Sequence, residues 1–262
     1  MRAFLHYERR AKHQLEAMVA FADGLVQHGV HCDVSYDTSP AARADFVVWW
    51  GDKVPEGLRD QPRLILEAGY INGRSGDYVR DRLQFISTGW NGLHGRADPG
   101  PPDRPPDRWN ALDVPLLPWR QQGTHMLICA QHPSDAQSPP ADDWLAACEE
   151  ACRLHDCILR PHPLMAPNMR SLAWALDDAH SVLTWSSTAA IEAVLTGVPT
   201  VALDQGSIAW DACSHSVAEA PFLGSREQWG YNLAYRQWTA AELRAGEAWE
   251  TIRHGFATKD CT

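Results

Sequence analysis

The sequence contains no apolar run of about 18 residues, so no segment reads as a membrane-spanning helix. Its opening, MRAFLHYERR, mixes charge with apolar residues and lacks the apolar core of a secretory signal. A soluble, cytoplasmic protein with no membrane partner is expected. No CxxC pair occurs, and the seven cysteines are scattered and odd in number, as suits reduced thiols. Cys148 and Cys152 lie one turn apart on an expected helix with Cys157 close behind; they read as buried thiols, not zinc ligands. Also missing are GxGxxG, a Walker P-loop, GxSxG, HExxH and a DxD triplet. A metal-held diphosphate therefore lacks its usual ligands, and neither a metal site nor a resident cofactor is expected.

The composition is globular: 45% hydrophobic, 21% charged, with 18 Gly and 18 Pro in 262 residues. That length suits one large domain or two compact ones. The net charge of −10 is unevenly spread. Residues 59–120 hold nine Arg against eight acids, whereas 121–262 hold eight basic and 17 acidic side chains. Between Asp98 and Pro118 lie seven prolines, which favour extended chain. The spacing predicts an N-terminal domain over 1–97, a proline-rich linker over 98–120 and a C-terminal domain over 121–262 that ends in helices.

Short apolar runs alternate with helical periodicity in both halves, the pattern of parallel sheets covered on both faces. In the first half the runs are Ala3–Tyr7, Cys32–Tyr36, Phe46–Trp50 and Leu64–Leu66. The segment 13–27 has Leu15, Met18, Val19, Ala22, Leu25 and Val26 at helical spacing, with Gly29 closing the helix. In the second half, strands are expected at 126–130, 157–160, 181–184 and 200–203, and helices at 142–155, 171–179 and 188–196. Residues 226–253 read as helical, with Trp229, Leu233, Trp238, Leu243, Trp249 and Ile252 packing. The expected fold is α/β: two Rossmann-like halves facing across a cleft, with ligands beyond the carboxyl ends of the strands.

Three loops of the second half fall at strand carboxyl ends: QHPSD from Gln131, RPHP from Arg160 and WSST ending at Thr188. Hydroxyls and backbone N–H groups of Ser186, Ser187 and Thr188 at a helix start suit an anion. Arg160 and His162 add charge-assisted hydrogen bonds from the adjacent loop. With no metal ligands in view, leaving-group charge would fall to these groups. Glu192, one turn into the helix, is placed to accept from ribose hydroxyls.

The runs RPHP and SVLTWSSTAAIEAVLTGVPTVALD resemble the donor half of GT-B glycosyltransferases. Their His-Pro and Ser-Ser pairs are similar to those of bacterial sialyltransferases and of the Kdo transferases of capsule synthesis. That resemblance implies that His162, Ser186 and Ser187 hold the donor phosphate and that Glu192 meets the ribose. It also implies an inverting, metal-independent transfer with a nucleotide sugar as co-substrate, a UDP-sugar being favoured.

In the first half, Glu67 follows a buried run and so points toward the cleft. In the related transferases an acidic-x-Gly sequence supplies the general base; here it reads Glu67-Ala68-Gly69, with Ala68 where the sialyltransferases have a second acid. Asp81 is held in reserve. Gly89, Gly92 and Gly95 allow close backbone approach to a ligand, and acceptor contacts are assigned to Tyr70, Arg82, Trp90, Asn91 and Arg96. The stretches EAGY, STGWNGLHGRA and LAYRQWTAAELRAGEAW resemble small phage-encoded glycosyltransferases. That implies 5-hydroxymethylcytosine in DNA as acceptor and the host cytoplasm as the compartment. Trp49, Trp50 and Trp90 would then stack on a flipped base. Two further readings stay open: a capsule or glycan transferase using a CMP-activated acidic sugar, and a nucleotide-binding module without catalysis.

Overall fold

In a computed structural model, which describes residues 1–71, 84–166 and 168–257, the apolar runs become strands. The described strands are β1 (Arg2–His6), β2 (His31–Ser35), β3 (Phe46–Trp50), β4 (Arg63–Ala68), β5 (Phe85–Trp90), β6 (His125–Cys129), β7 (Cys157–Arg160), β8 (Ala179–Thr184), β9 (Thr200–Ala202) and β10 (Gln237–Thr239). The described helices are α1 (Lys12–Gln27), α2 (Asp107–Leu112), α3 (Ala141–Leu154), α4 (Leu172–Leu176), α5 (Ala189–Leu195), α6 (Glu227–Ala234), α7 (Ala240–Ala245), α8 (Glu247–Ile252) and α9 (His254–Ala257).

The chain divides into two units, Met1–Arg104 with Asn232 onward, and Pro105–Tyr231. This corrects the expected boundaries. The proline-rich stretch does not stay a bare linker, because Asp107–Leu112 forms α2 and buries Trp109. The last helices belong to the first unit, where Trp238, Leu243, Ala248 and Trp249 join the core built on α1 and β1.

In the first unit the sheet order is β10-β5-β4-β3-β1-β2. Strands β1 to β4 are parallel, as expected of Rossmann-like units, but β5 runs antiparallel to β4 and β10 antiparallel to β5. Strand β10 lies inside the segment expected to be wholly helical. Its Trp238 is 1% exposed, and burial within a sheet overrides the helical spacing of the neighbouring apolar residues. Helix α1 starts within one residue of its expected position and buries Met18, Ala22 and Leu25 as expected, but its packing face is rotated. Ala17, Met18, Phe21, Gly24 and Leu25 are buried, while Leu15, Val19 and Val26 are exposed.

Gly24 explains that rotation: a methyl group there would strike the Leu243 carbonyl oxygen of α7, so only glycine lets the two helices approach.

The second unit has a four-stranded, fully parallel sheet in the order β7-β6-β8-β9. Helices α4 and α5 cover one face through Leu176, Ala193, Leu172 and Ala189. Helix α3 covers the other through Ala151, Trp144 and Cys148. The cysteine reading is corrected here: Cys152 is exposed and Cys148 and Cys157 are half-buried, because α3 buries mainly its Trp144–Ala151 face. No described helix is long and apolar enough to cross a membrane.

Gly24→Ala is expected to lower stability by about 1–3 kcal/mol, the usual penalty for overpacking. Gly57→Ala, where an added methyl meets nothing, is expected to change it by less than about 0.5 kcal/mol. Urea midpoints of the two variants test this.

Candidate functional site

Because β6, β7 and β8 are parallel and adjacent, their following loops emerge at one sheet edge. The loop after β6 and the loop after β8 are tied together by one side chain. Gln131 Oε1 accepts from the Ser186 N–H at 2.9 Å, and Gln131 Nε2 donates to Ser186 Oγ and to the Gln137 carbonyl, each at 3.3 Å. Ser186 is 2% exposed, and its hydroxyl is 3.3 Å from the Gln137 carbonyl. Gln131, half-buried, and Ser186, buried, thus brace the two loops against each other. Ser187 is half-buried; its N–H donates to Thr184 Oγ1 at 3.3 Å, and its Oγ accepts from the Ala189 N–H at 3.2 Å. Thr188 is exposed and is the N-cap residue of α5, although its side chain makes no capping bond.

On the neighbouring strand end, His162 Nδ1 accepts from the Leu164 N–H at 3.2 Å, which puts the ring proton of the neutral imidazole on Nε2. The His132 ring stands edge-on to it, with centroids 5.4 Å apart and planes at 72°. His132 Nδ1 lies 2.7 Å from Ser134 Oγ and 3.2 Å from the Ser134 backbone nitrogen, which holds the ring against its own loop. The site prediction omitted His132. Its signal was a second His-Pro pair at the end of the adjacent strand. Arg160 Nη1 donates to the Arg170 carbonyl at 2.9 Å, which anchors the loop after β7.

Glu192 is not on a solvated helix face. Its Oε2 is buried without a hydrogen-bond partner, and burial raises its pKa against the opposing pull of Arg160. A carboxylate left short of donors beside a guanidinium is ready to accept from a ligand hydroxyl.

In the first unit, Glu67 is the penultimate residue of β4. Its Oε1 accepts from the Ala68 N–H at 2.8 Å, and its Oε2 lies against Gly51, whose φ of +66° turns the chain after β3. Ser87, opposite Glu67 on β5, donates from Oγ to the Glu67 carbonyl at 3.2 Å. Tyr70 is buried, with its hydroxyl 3.4 Å from His94 Nδ1; burial, above all, raises its pKa. The Tyr70 and Ile71 N–H groups share Gln237 Oε1 of β10, at 2.8 and 2.9 Å. Arg236 Nη1 donates to the His94 carbonyl at 3.1 Å. Ser87, His94 and Arg236 were not singled out in the sequence; the antiparallel return of β5 and the arrival of β10 bring them in. Asp52, just beyond β3, was also missed. Burial raises its pKa while Arg63, Arg59 and Arg96 pull it down. Its position after an apolar run was the same signal that marked Glu67.

Asp81 and Arg82 lie outside the described residues. Trp90 is corrected from an acceptor contact to a core residue: its Nε1 donates to the Ile252 carbonyl, and it packs on Phe46, Trp249 and Phe256. Asn91 is likewise occupied, adopting φ of +58° and accepting from the Arg63 N–H at 3.2 Å. Gly89 and Gly92 serve backbone contacts within their own loop, since methyl groups there would strike the Gly92 and Arg96 carbonyls.

Two units, one on a sheet with a parallel core and antiparallel β5 and β10 and one on a fully parallel sheet, have the architecture of GT-B-like transferases. Residues 161–242 match a family described as "Putative glycosyltransferase (DUF6716)". The chain is similar in structure to the β-Kdo 2,4-transferase of KpsC from Thermosulfurimonas dismutans, with a TM-score of 0.56 and 12% identity over 97% of this chain and 98% of that one. It is also similar to the β-Kdo 2,7-transferase of KpsC from the same organism, with a TM-score of 0.54 and 12% identity over 94% and 98%. No curated protein matches the sequence. The likeness to these structures gives the fold. The matched segment, which carries the glycosyltransferase description, starts at Pro161 and includes His162, the Ser pair and Glu192.

A carboxyl group whose pKa is raised by folding stabilises the protein fully only below its unfolded pKa, and that contribution is lost as pH rises through the folded value. Glu192→Gln is therefore expected to raise the thermal midpoint at neutral pH. The gain should shrink as pH falls toward about 4, the ordinary glutamate range, and melting curves across pH test it.

Proposed function

We propose that this chain transfers a nucleotide-activated acidic sugar to a hydroxyl group of a glycan. The observation that carries the proposal is the carboxyl edge of the parallel sheet. There a buried carboxylate oxygen of Glu192 that lacks a donor, the imidazoles of His132 and His162, and Arg160 belong to adjacent parallel strand ends and the helix that follows β8. Glu192 accepts from the ribose, while His162, Arg160 and the backbone at Ser187 and Thr188 hold the phosphate and stabilise the charge it gains on leaving. Glu67 takes the proton of the acceptor hydroxyl as that oxygen attacks the anomeric carbon. The acid-sugar class follows the Kdo named for the two structural neighbours, and it favours a CMP donor over UDP.

A DNA acceptor has no comparable support. Of the tryptophans offered for base stacking, Trp49 and Trp90 are each 6% exposed, and Trp50 packs against the α1 core.

Glu67→Gln is expected to slow transfer by roughly 10²–10⁴-fold while leaving nucleotide affinity unchanged in calorimetry. His162→Ala is expected to weaken nucleotide binding by about ten-fold or more, the loss of one charge-assisted hydrogen bond. Incubation of CMP- and UDP-sugars with glycan and hydroxymethylated DNA acceptors decides the substrate. Mass gain on the glycan from a CMP-sugar supports the proposal. Transfer confined to DNA overturns it, as does near-normal turnover by Glu67→Gln for the assigned base.

A further inference from the structure

The two edges of the second unit's sheet are finished differently. At one edge β9 is buried along its whole length, and Ser214 lies hydrogen-bonded beside it. The Ala202 N–H donates to the Ser214 carbonyl and the Ser214 N–H to the Thr200 carbonyl, each at 2.9 Å. At the other edge β7 pairs with β6 alone, and no described strand lies beyond it. Ile158 stands beside Leu127, which packs under α4 and α5, and Leu159 beside Ile128, which packs under α3. Those interior neighbours are 1% and 2% exposed, whereas Ile158 and Leu159 are 51% and 62% exposed. A fully parallel sheet is ordinarily covered on both faces, and an apolar edge with neither lysine nor cover is a template for another strand.

The backbone groups on that edge follow from the pairing with β6. The Met126 N–H donates to the Asp156 carbonyl at 2.8 Å and the Ala130 N–H to the Arg160 carbonyl at 3.0 Å, so the even-numbered residues of β7 face β6. Cys157 and Leu159 therefore direct their N–H and C=O groups outward. The open run is closed at both ends: the His155 N–H is taken by the Ala151 carbonyl at 2.8 Å, and Pro161 has no N–H.

We propose that β7 is a self-association edge, to which β7 of a second copy of this chain adds antiparallel so that the two sheets become continuous. The segment is complementary to itself in that register. With the two-fold axis at Ile158, Cys157 of each copy stands opposite Leu159 of the other, and the pair closes about four hydrogen bonds. Ile158 meets Ile158 of the second copy, and at both ends Asp156 stands opposite Arg160 of the second copy. A parallel, in-register addition would set like charges side by side instead. A short strand is not a sufficient interface, since a stable one takes about 800 Å² from each partner. The elements around β7 supply more: Leu145 on α3, Leu164 and Met165 in the loop after β7, and Trp174 on α4 are 58–76% exposed. Large apolar and aromatic side chains of this kind form the cores of interfaces. The proposal stands on the sheet edge and is independent of the reaction proposed above.

Sedimentation of the full reduced chain from micromolar to submillimolar concentration tests it. The expected result is a reversible monomer–dimer equilibrium. Ile158→Lys sets two ammonium groups face to face at the axis and is expected to leave a monomer with an unchanged far-ultraviolet circular dichroism spectrum. Val26→Lys, at a 59% exposed position of α1 in the first unit, is expected to keep the dimer. A second variant gives a positive readout. Residues opposite each other in a non-hydrogen-bonded antiparallel pair have Cα atoms about 4.5 Å apart, inside the roughly 4.4–6.8 Å that a disulfide spans. Ile158→Cys, made together with Cys157→Ser, is therefore expected to yield on mild oxidation a tryptic peptide of residues 154–160 joined to itself. A chain that stays monomeric throughout, a dimer that survives Ile158→Lys, or an oxidised dimer without that self-joined peptide would each overturn the proposal.

Discussion

One carboxamide sets the geometry of the carboxyl edge of the second unit's sheet. Gln131 stands at the end of β6 and spends both its oxygen and its nitrogen on the loop that follows β8. Buried networks of this type are rigid when every member is satisfied, because in a low-dielectric interior a broken hydrogen bond costs far more than it would in water. With β6 between β7 and β8 in the sheet, fixing the β6 and β8 loops together also fixes the edge against which the β7 loop and its His162 must settle. The groups proposed for the phosphate thus stand on loops braced by Gln131 and Ser186.

That edge was largely legible in the sequence. Runs such as MLICA and SVLT are apolar without interruption, which only a strand buried on both faces requires, and their carboxyl ends then mark the loops. Glu192, His162, Arg160 and the Ser pair followed from that placement. What the pattern did not separate was bracing from presentation. Ser186 and Gln131 are the same residue types that would contact a phosphate, and only the pairing of β6 with β8 shows them bonded to each other.

The first unit was harder to read for a physical reason. Its sheet is completed by β5 and β10, and a strand contributed by a distant segment leaves no local signature. Gln-Trp-Thr is three residues long, between segments with helical spacing. The antiparallel turn of β5 reassigns the aromatic and glycine-rich stretch that follows it, so that Trp90 becomes core while Ser87 comes to stand opposite Glu67. Likewise, the buried face of α1 could not be chosen from hydrophobicity alone, since Gly24 carries no apolar side chain and yet leaves no room for a methyl group against the Leu243 carbonyl. Proline density misplaced the boundary because proline at the start of a helix is compatible with it, as Pro106 before α2 shows.

The two half-buried carboxyl groups with raised pKa values, Asp52 and Glu192, differ in how they are accommodated. Asp52 has Arg59, Arg63 and Arg96 pulling against its burial, a distribution of charge that offsets much of the cost of desolvation. Glu192 has Arg160 alone, and one of its oxygens has no donor. A group held only for stability would find its optimum by replacing that carboxylate with an apolar side chain, since Ala190, Ile191, Ala193 and Val194 around it in α5 are already buried. A carboxylate kept in that setting, with Arg160 as its opposing charge, is costly for the free protein, and under the proposed function hydroxyl donors of the ligand offset that cost. The local conflict with the rest of α5 is the observation on which the ribose contact proposed for Glu192 rests.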